Sequence, residues 1–125
     1  MLKLAFCLRR LPHLSRDEFH RYWYETHAPL VRSHADALAI RRYVQLHTVA
    51  DDLNAVLRAG RGGPDSYDGI AELWWDDRAT FERVLASEPG RTAARTLLED
   101  ERRFIDLTRS PLWLADERAI IPRVR

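Results

Sequence analysis

The chain has a single cysteine, Cys7, in 125 residues. One thiol excludes an internal disulfide and any thiolate metal cluster. Cys7 sits in the apolar run LAFCL and reads as a buried, inert thiol. An excess of one charge is also missing. The 20 Lys and Arg are balanced by 19 Asp and Glu, a net charge of +1. That excludes the basic footprint of a nucleic-acid surface, and arginines alternating with acids read as solvated helix faces. No run approaches the roughly 20 apolar residues of a membrane span, so no membrane partner is expected. The opening MLKLAFCLRR is too short for a signal peptide's hydrophobic region with a small-residue cleavage site. A cytoplasmic protein is the expectation.

Recognisable cofactor cradles are absent too. GRGGPD leads into a predicted strand and not a helix, which argues against a nucleotide site. The pairs His20–His27 and His27–His34 are seven residues apart, two helical turns, too far to share one ion. No Ser-His-Asp order can be argued, and Cys7 has no activating base near it in sequence. Neither a metal nor a cofactor is expected.

What remains is an ordinary soluble composition, 46% hydrophobic and 31% charged. The length suits one domain, residues 1–125, with a real core. Residues 2–9 predict a strand with Leu2, Leu4, Phe6 and Leu8 on one face. Ser15 followed by Glu18 is a capping box that starts a helix. Phe19, Trp23 and His27 form an i, i+4 ridge on it, with Tyr22 and Leu30 beside it. Pro29 ends or kinks that helix near Ala28, or opens a further turn from its first position.

A second strand covers 40–49, with Tyr43, Gln45 and His47 on one face. Residues 51–60 predict a short helix capped by Asp51 or Asp52 and stopped by Gly60. The whole segment 51–66, with its Gly-Arg-Gly-Gly-Pro run, is expected to be a mobile flap over a pocket. A third strand covers 67–76. Gly69 and Ala71 share a face that a helix can approach closely, and Ile70, Glu72 and Trp74 share the other. Asp76 or Asp77 caps a helix holding Phe81, Val84 and Leu85, which Pro89 and Gly90 break. A further helix runs over 91–104 and a last strand over 111–121. Strand, helix, strand, strand, helix, strand is the split βαβ, ferredoxin-like order: an α+β subunit with an antiparallel four-stranded sheet.

Helices on one side leave the sheet's other face open. With Ile70 and Trp74 on it, that face is more apolar than a small monomer tolerates in water. A homodimer packed sheet to sheet, enclosing a cavity, is the expected remedy.

Three residues are candidate proton-transfer groups. His27 titrates near neutrality, and its alternative is a structural histidine tying the helix end to a strand. His47 shares a polar strand face with Tyr43 and Gln45 that either lines a cavity or meets solvent at a sheet edge. Glu72, between Ile70 and Trp74, would have a raised pKa as acid or base, or would pair with an arginine across the dimer. Tyr22, Trp23, Tyr43, Ile70 and Trp74 are the candidate substrate contacts. Trp74, Trp75 and Trp113 can stack on a flat ring, or simply fill the core.

Phe19, Tyr22, Trp23, His27, Pro29 and Leu30 match the F-x-x-Y-W-x-x-x-H-x-P-L pattern of EthD-like proteins, six residue types in twelve positions. YDGIAELWWD resembles that family's third strand, and FIDLTRSP followed by DERAII is similar to its usual ending. The resemblance spans nearly the whole chain and departs mainly in the long segment 51–66. It implies a dimeric α+β barrel of ferredoxin-like subunits. It also implies chemistry of the kind found in relatives from polyketide pathways, which act without cofactors as dehydratases, decarboxylases or cyclases on aromatic substrates. The first expectation is therefore a small cofactor-independent enzyme that moves a proton on an aromatic or polyketide-like molecule. The second is a non-catalytic protein that holds a hydrophobic metabolite for a neighbouring enzyme. A haem or oxygen-dependent enzyme of the same barrel class, with His27 as a lone axial ligand, is a third that nothing else in the sequence supports.

Overall fold

The computed structural model describes residues 1–123. Its strands are β1 Leu2–Leu8, β2 Arg42–His47, β3 Gly69–Trp75 and β4 Leu112–Asp116. They form one antiparallel sheet in the order β2-β3-β1-β4. With helices between β1 and β2 and between β3 and β4, this is the ferredoxin-like α+β plan, as the sequence order implied. The β2–β3 connection adds an extra helix, α3 (Asp52–Ala59), capped by the Asp51 carboxylate on the Leu53 N–H. Leu53, Val56 and Leu57 of α3 remain exposed.

Ser15 and Glu18 form the capping box that opens α1 (Arg16–Tyr22): each side chain accepts the other's backbone N–H, at 3.1 and 2.9 Å. The chain then makes a π-helical turn, Trp23–His27, before α2 (Ala28–Ser33). The Ala28 N–H reaches back five residues to the Trp23 carbonyl. Pro29 accounts for this widening. It has no N–H to donate, and its ring would strike the carbonyl four residues back in a regular α-helix. The helix therefore does not end at Ala28; it loosens by one residue and continues, with Pro29 in the first turn of α2.

Trp23 explains Gly69. A Cβ on Gly69 would lie 2.5 Å from the Trp23 ring and 2.7 Å from the Leu46 carbonyl oxygen, so only glycine lets the indole rest on the sheet. Phe6, Leu8, Phe19, Trp23, Ala71, Phe104 and Ile105 make the main core cluster; burying each large side chain contributes about 1.5–3 kcal/mol. A second cluster of Val31, Leu38, Val84, Ala93 and Leu97 joins α2 to α4 (Arg78–Ala86) and α5 (Glu88–Glu101).

The last helix and the last strand differ most from the sequence expectation. The last long helix begins at Glu88 and not at 91, and ends at Glu101 and not at 104. Ser87 caps it, accepting the Gly90 N–H at 3.0 Å, and Pro89 sits in its first turn, where no N–H is needed. Pro89 thus stops one helix and starts the next. The last strand covers Leu112–Asp116 and not 111–121, because Asp116 already faces Leu2, the first residue of β1; beyond it the ladder has no partner.

Candidate functional site

Between the sheet's inner face and the helices lies an interior cavity of about 190 Å³. Leu4, Phe6 and Leu8 of β1, Ala71, Leu73 and Trp75 of β3, and Tyr43 of β2 form its floor. Trp23 and His27 of the π turn, Val84 and Leu85 of α4, and Leu97 and Glu101 of α5 form much of its roof. Leu85, Ala94 and Leu112 are its exposed lining residues and mark the mouth. Only three lining side chains titrate: His27, Tyr43 and Glu101.

His27 is 5% exposed and faces inward, as its register with Phe19 and Trp23 requires. Its Nδ1–H donates to Asp100 Oδ2 at 2.7 Å, and the Tyr22 hydroxyl donates to Asp100 Oδ1 at 2.6 Å. The tie therefore runs to helix α5 and not to a strand. Asp100 fixes the ring's orientation and directs its lone pair onto Nε2. No protein group bonds Nε2, yet no buried side-chain nitrogen or oxygen is sealed off without a partner among the described residues. Nε2 is thus open to whatever the cavity holds. Burial pushes the His27 pKa down, and the hydrogen bond and charge of Asp100 only partly oppose it. The ring is neutral and basic at neutral pH.

Glu101 was not a sequence candidate. Burial, followed by the neighbouring Asp100 charge, raises its pKa to about 7. The apolar stripe of α5 did carry the signal, because Ala94, Leu97 and Glu101 follow an i, i+3, i+7 spacing. Tyr43 has its pKa raised, by burial first, and a charge on Glu101 would raise it further. Gln45 Nε2 donates to the Tyr43 oxygen at 2.7 Å and to the Trp23 carbonyl at 3.0 Å.

His47 lies outside this cavity. With Tyr43, Gln45, His20, Tyr24, Arg21 and Arg32 it lines an open cleft of about 580 Å³ along edge strand β2. Its ring stacks on Trp23 at 4.6 Å and 14°, and its Nε2–H donates to Gln45 Oε1 at 2.7 Å. Burial, then the nearby His20, lowers its pKa. Tyr43 lines both cleft and cavity, so the polar face of β2 does line a recess, and at the sheet edge.

Ile70, Glu72 and Trp74 line neither. They occupy the outer face of the sheet, where Glu72 pairs with Lys3 at 2.7 Å within its own chain. Trp74, read in sequence as open apolar surface, is 5% exposed. Lys3 and Arg42 lie over its ring at 4.5 and 4.8 Å, and its indole N–H donates to Glu117 at 3.0 Å. Tyr22 acts behind His27 and not on the cavity wall. Segment 51–66 contributes nothing to the interior cavity; it borders a third recess with Arg9, Arg10 and Arg16. Cys7 is buried, and burial raises its pKa. Among the described residues no group of three or more His, Cys, Asp or Glu side chains is placed to hold a metal ion. No helix there is long and apolar enough to cross a membrane.

A family model described as the EthD domain matches residues 11–108. Among solved structures, an ethyl tert-butyl ether d (EthD) family protein of Bacillus halodurans is similar with a TM-score of 0.62 at 19% identity, over 94% of this chain and 99% of that one. An EthD-like protein of Ralstonia eutropha gives 0.59 at 15% identity, over 98% and 94%. A mutant of SnoaB, a cofactor-independent oxygenase from Streptomyces nogalater, gives 0.52 at 20% identity, over 97% and 98%. At these identities the likeness is one of fold. No curated protein matches the chain.

Proposed function

The chain belongs to the EthD-domain family, and from that premise we propose that it is a single-domain, cofactor-independent enzyme that moves a proton on a small hydrophobic, ring-bearing molecule held in the interior cavity. The observation that carries this reading is His27. One ring nitrogen is anchored on Asp100 and the other opens into an apolar space. An oriented, neutral imidazole in an apolar site is a general base, and a placed base contributes about 10²–10⁴-fold. Enolisation leading to dehydration, cyclisation or decarboxylation needs no more than that.

The cavity's size limits the substrate. About 190 Å³ exceeds the roughly 150 Å³ that accepts benzene and falls below the roughly 300 Å³ of ordinary ligand pockets. It accommodates one aromatic ring with a small fused ring; a longer polyketide-like molecule would extend past Leu85 and Leu112. The decisive experiment combines Trp fluorescence, to follow binding of single-ring compounds, with a turnover assay on the wild type and His27→Ala. Turnover lost with the fold intact supports catalysis. Ligand binding without turnover in the wild type supports the second reading, a hydrophobic-ligand carrier, which the almost wholly apolar lining favours.

We also propose that the protein works as a homodimer. The outer sheet face bears no helix and leaves Trp113 50% and Leu46 44% exposed. Light scattering that gave a monomer mass at micromolar concentration would sink this.

A further inference from the structure

We propose that Glu101 is the general acid of the interior cavity, giving its proton to the oxygen of a neutral ring ketone or β-hydroxy ketone while His27 Nε2 takes a proton from the adjacent carbon. The proposal rests on the reading of this cavity as a ligand site and goes beyond it by naming the acid and the substrate class.

The geometry comes from two successive residues of one helix. Neighbours on an α-helix diverge by about 100°. Asp100 therefore grips His27 from behind, while Glu101 reaches the space that His27 opens into. No protein hydrogen bond holds the Glu101 carboxyl, and it is not among sealed, unsatisfied atoms. No arginine or lysine stands on the cavity wall to keep it ionised. The other titratable groups of the wall are His27 and Tyr43 alone, and neither is a cation at neutral pH. A carboxyl in such a place is still substantially protonated at neutral pH. One environment thus pushes the histidine towards base and the glutamate towards acid, the separation of roles expected of an acid–base pair.

The chemistry balances without a further reactant. For enolisation, the C–H electron pair becomes the C=C bond, its proton goes to His27, and the carbonyl oxygen receives the Glu101 proton. For a β-hydroxy ketone, the Glu101 proton goes to the leaving hydroxyl, which departs as water and leaves an enone. In both cases a neutral pair becomes imidazolium and carboxylate, and proton exchange with solvent restores it. The same wall argues against a carboxylate substrate. With no cation to pair it, a negative charge buried there is costly, so decarboxylation is the least favoured of the three reactions.

The test uses 2-indanone, a neutral ketone whose five-membered ring is fused to one aromatic ring, and follows deuterium exchange at its α-carbons in D₂O by NMR. Binding is followed separately by Trp fluorescence. Wild type is expected to accelerate exchange. Glu101→Gln, which donates a hydrogen bond but no proton, is expected to bind the ketone and to exchange about 10²-fold slower or less. If Glu101→Gln exchanges as fast as wild type, the proposal is overturned and the cavity reading stands. If wild type binds without exchange, the proposal is overturned and the carrier reading gains. If it neither binds nor exchanges, both fall. A measurement on unaltered protein covers a variant that fails to fold. Infrared spectroscopy at neutral pH should find a glutamic-acid carbonyl band sensitive to added 2-indanone; absence of that band overturns the proposal.

Discussion

A glutamate lies among apolar side chains on each side of the sheet, Glu72 on a strand and Glu101 on helix α5, and the two differ in what stands opposite. On the outer side Glu72 lies between Ile70 and Trp74, with Lys3 at 2.7 Å, and Lys3 also reaches Glu117 at 3.2 Å. On the inner side Glu101 faces a cavity whose wall holds no cation. Apolar neighbours alone do not make a carboxylate chemically unusual. A lysine placed against it leaves a half-buried ion pair, and leaving the cation out makes a group that holds its proton up to about pH 7.

The tryptophans give the largest contrast. Trp23, 1% exposed on Gly69, should cost about 3–5 kcal/mol when changed to alanine. Trp113, 50% exposed on the outer face, should cost less than about 1 kcal/mol in fold stability and act on dimer affinity instead. Urea unfolding of both variants, with light scattering, measures the difference; equal losses would erase the distinction between the faces.

The glutamates themselves come next. The folded-state pKa of Glu101 is about 7 against an ordinary 4.5. Its proton therefore contributes stability that is fully present below about 4.5 and lost as pH rises through about 7. Gln cannot lose that proton, so Glu101→Gln should gain on wild type by about 2–3 kcal/mol between pH 5 and 8.5. His27 has the opposite sign: its lowered pKa gives stability that is present above the ordinary histidine value of 6.5 and lost as pH falls. Comparing variant with wild type at each pH cancels it. A difference that stays flat in denaturant titrations at the two pH values would contradict the raised pKa.

Asp100→Asn probes the support behind the cavity. It keeps one acceptor for Tyr22 but removes the charge that holds the His27 Nδ1–H, and should cost about 1–3 kcal/mol. The same change should slow any exchange reaction of the cavity, by misorienting the ring and leaving ligand affinity largely intact; an unchanged rate would deny Asp100 its positioning role. Glu72→Gln should have the smallest effect, below about 1 kcal/mol, shrinking further in high salt. A loss of 2 kcal/mol or more in thermal unfolding would mean that the outer face is far less open to water than its ion pairs suggest.

The fold was legible because its signals are local. The capping box, the ridge of Phe19, Trp23 and His27, and the small residues Gly69 and Ala71 each announce themselves within a few positions. The candidate site was half legible. The ridge directed His27 inward, and alternation along β2 placed Tyr43, Gln45 and His47 on one face. What sequence could not supply was pairing across the fold. Lys3 and Glu72 are adjacent only through the β1–β3 register, and Asp100 meets His27 only because α5 crosses the π turn. Hence the sequence left Glu72 either unpaired or paired with an arginine across the dimer, when its partner is Lys3 of its own chain, and Glu101 was not singled out among the charges of its helix. The π turn was hidden for a similar reason: Pro29 announces a disturbance, but the packed helix decides between stopping and widening.

The central claim is that ligand enters on the inner side of the sheet, and the four tryptophans make that directly measurable. Trp23 and Trp75 line the cavity, whereas Trp74 and Trp113 belong to the outer face. With 5-fluorotryptophan incorporated, fluorine NMR resolves one resonance from each, assigned by single Trp→Phe variants. Titration with 2-indanone is predicted to shift Trp23 and Trp75 and to leave Trp74 and Trp113 in place. Shifts confined to Trp74 and Trp113 would put the ligand on the outer face and contradict the account.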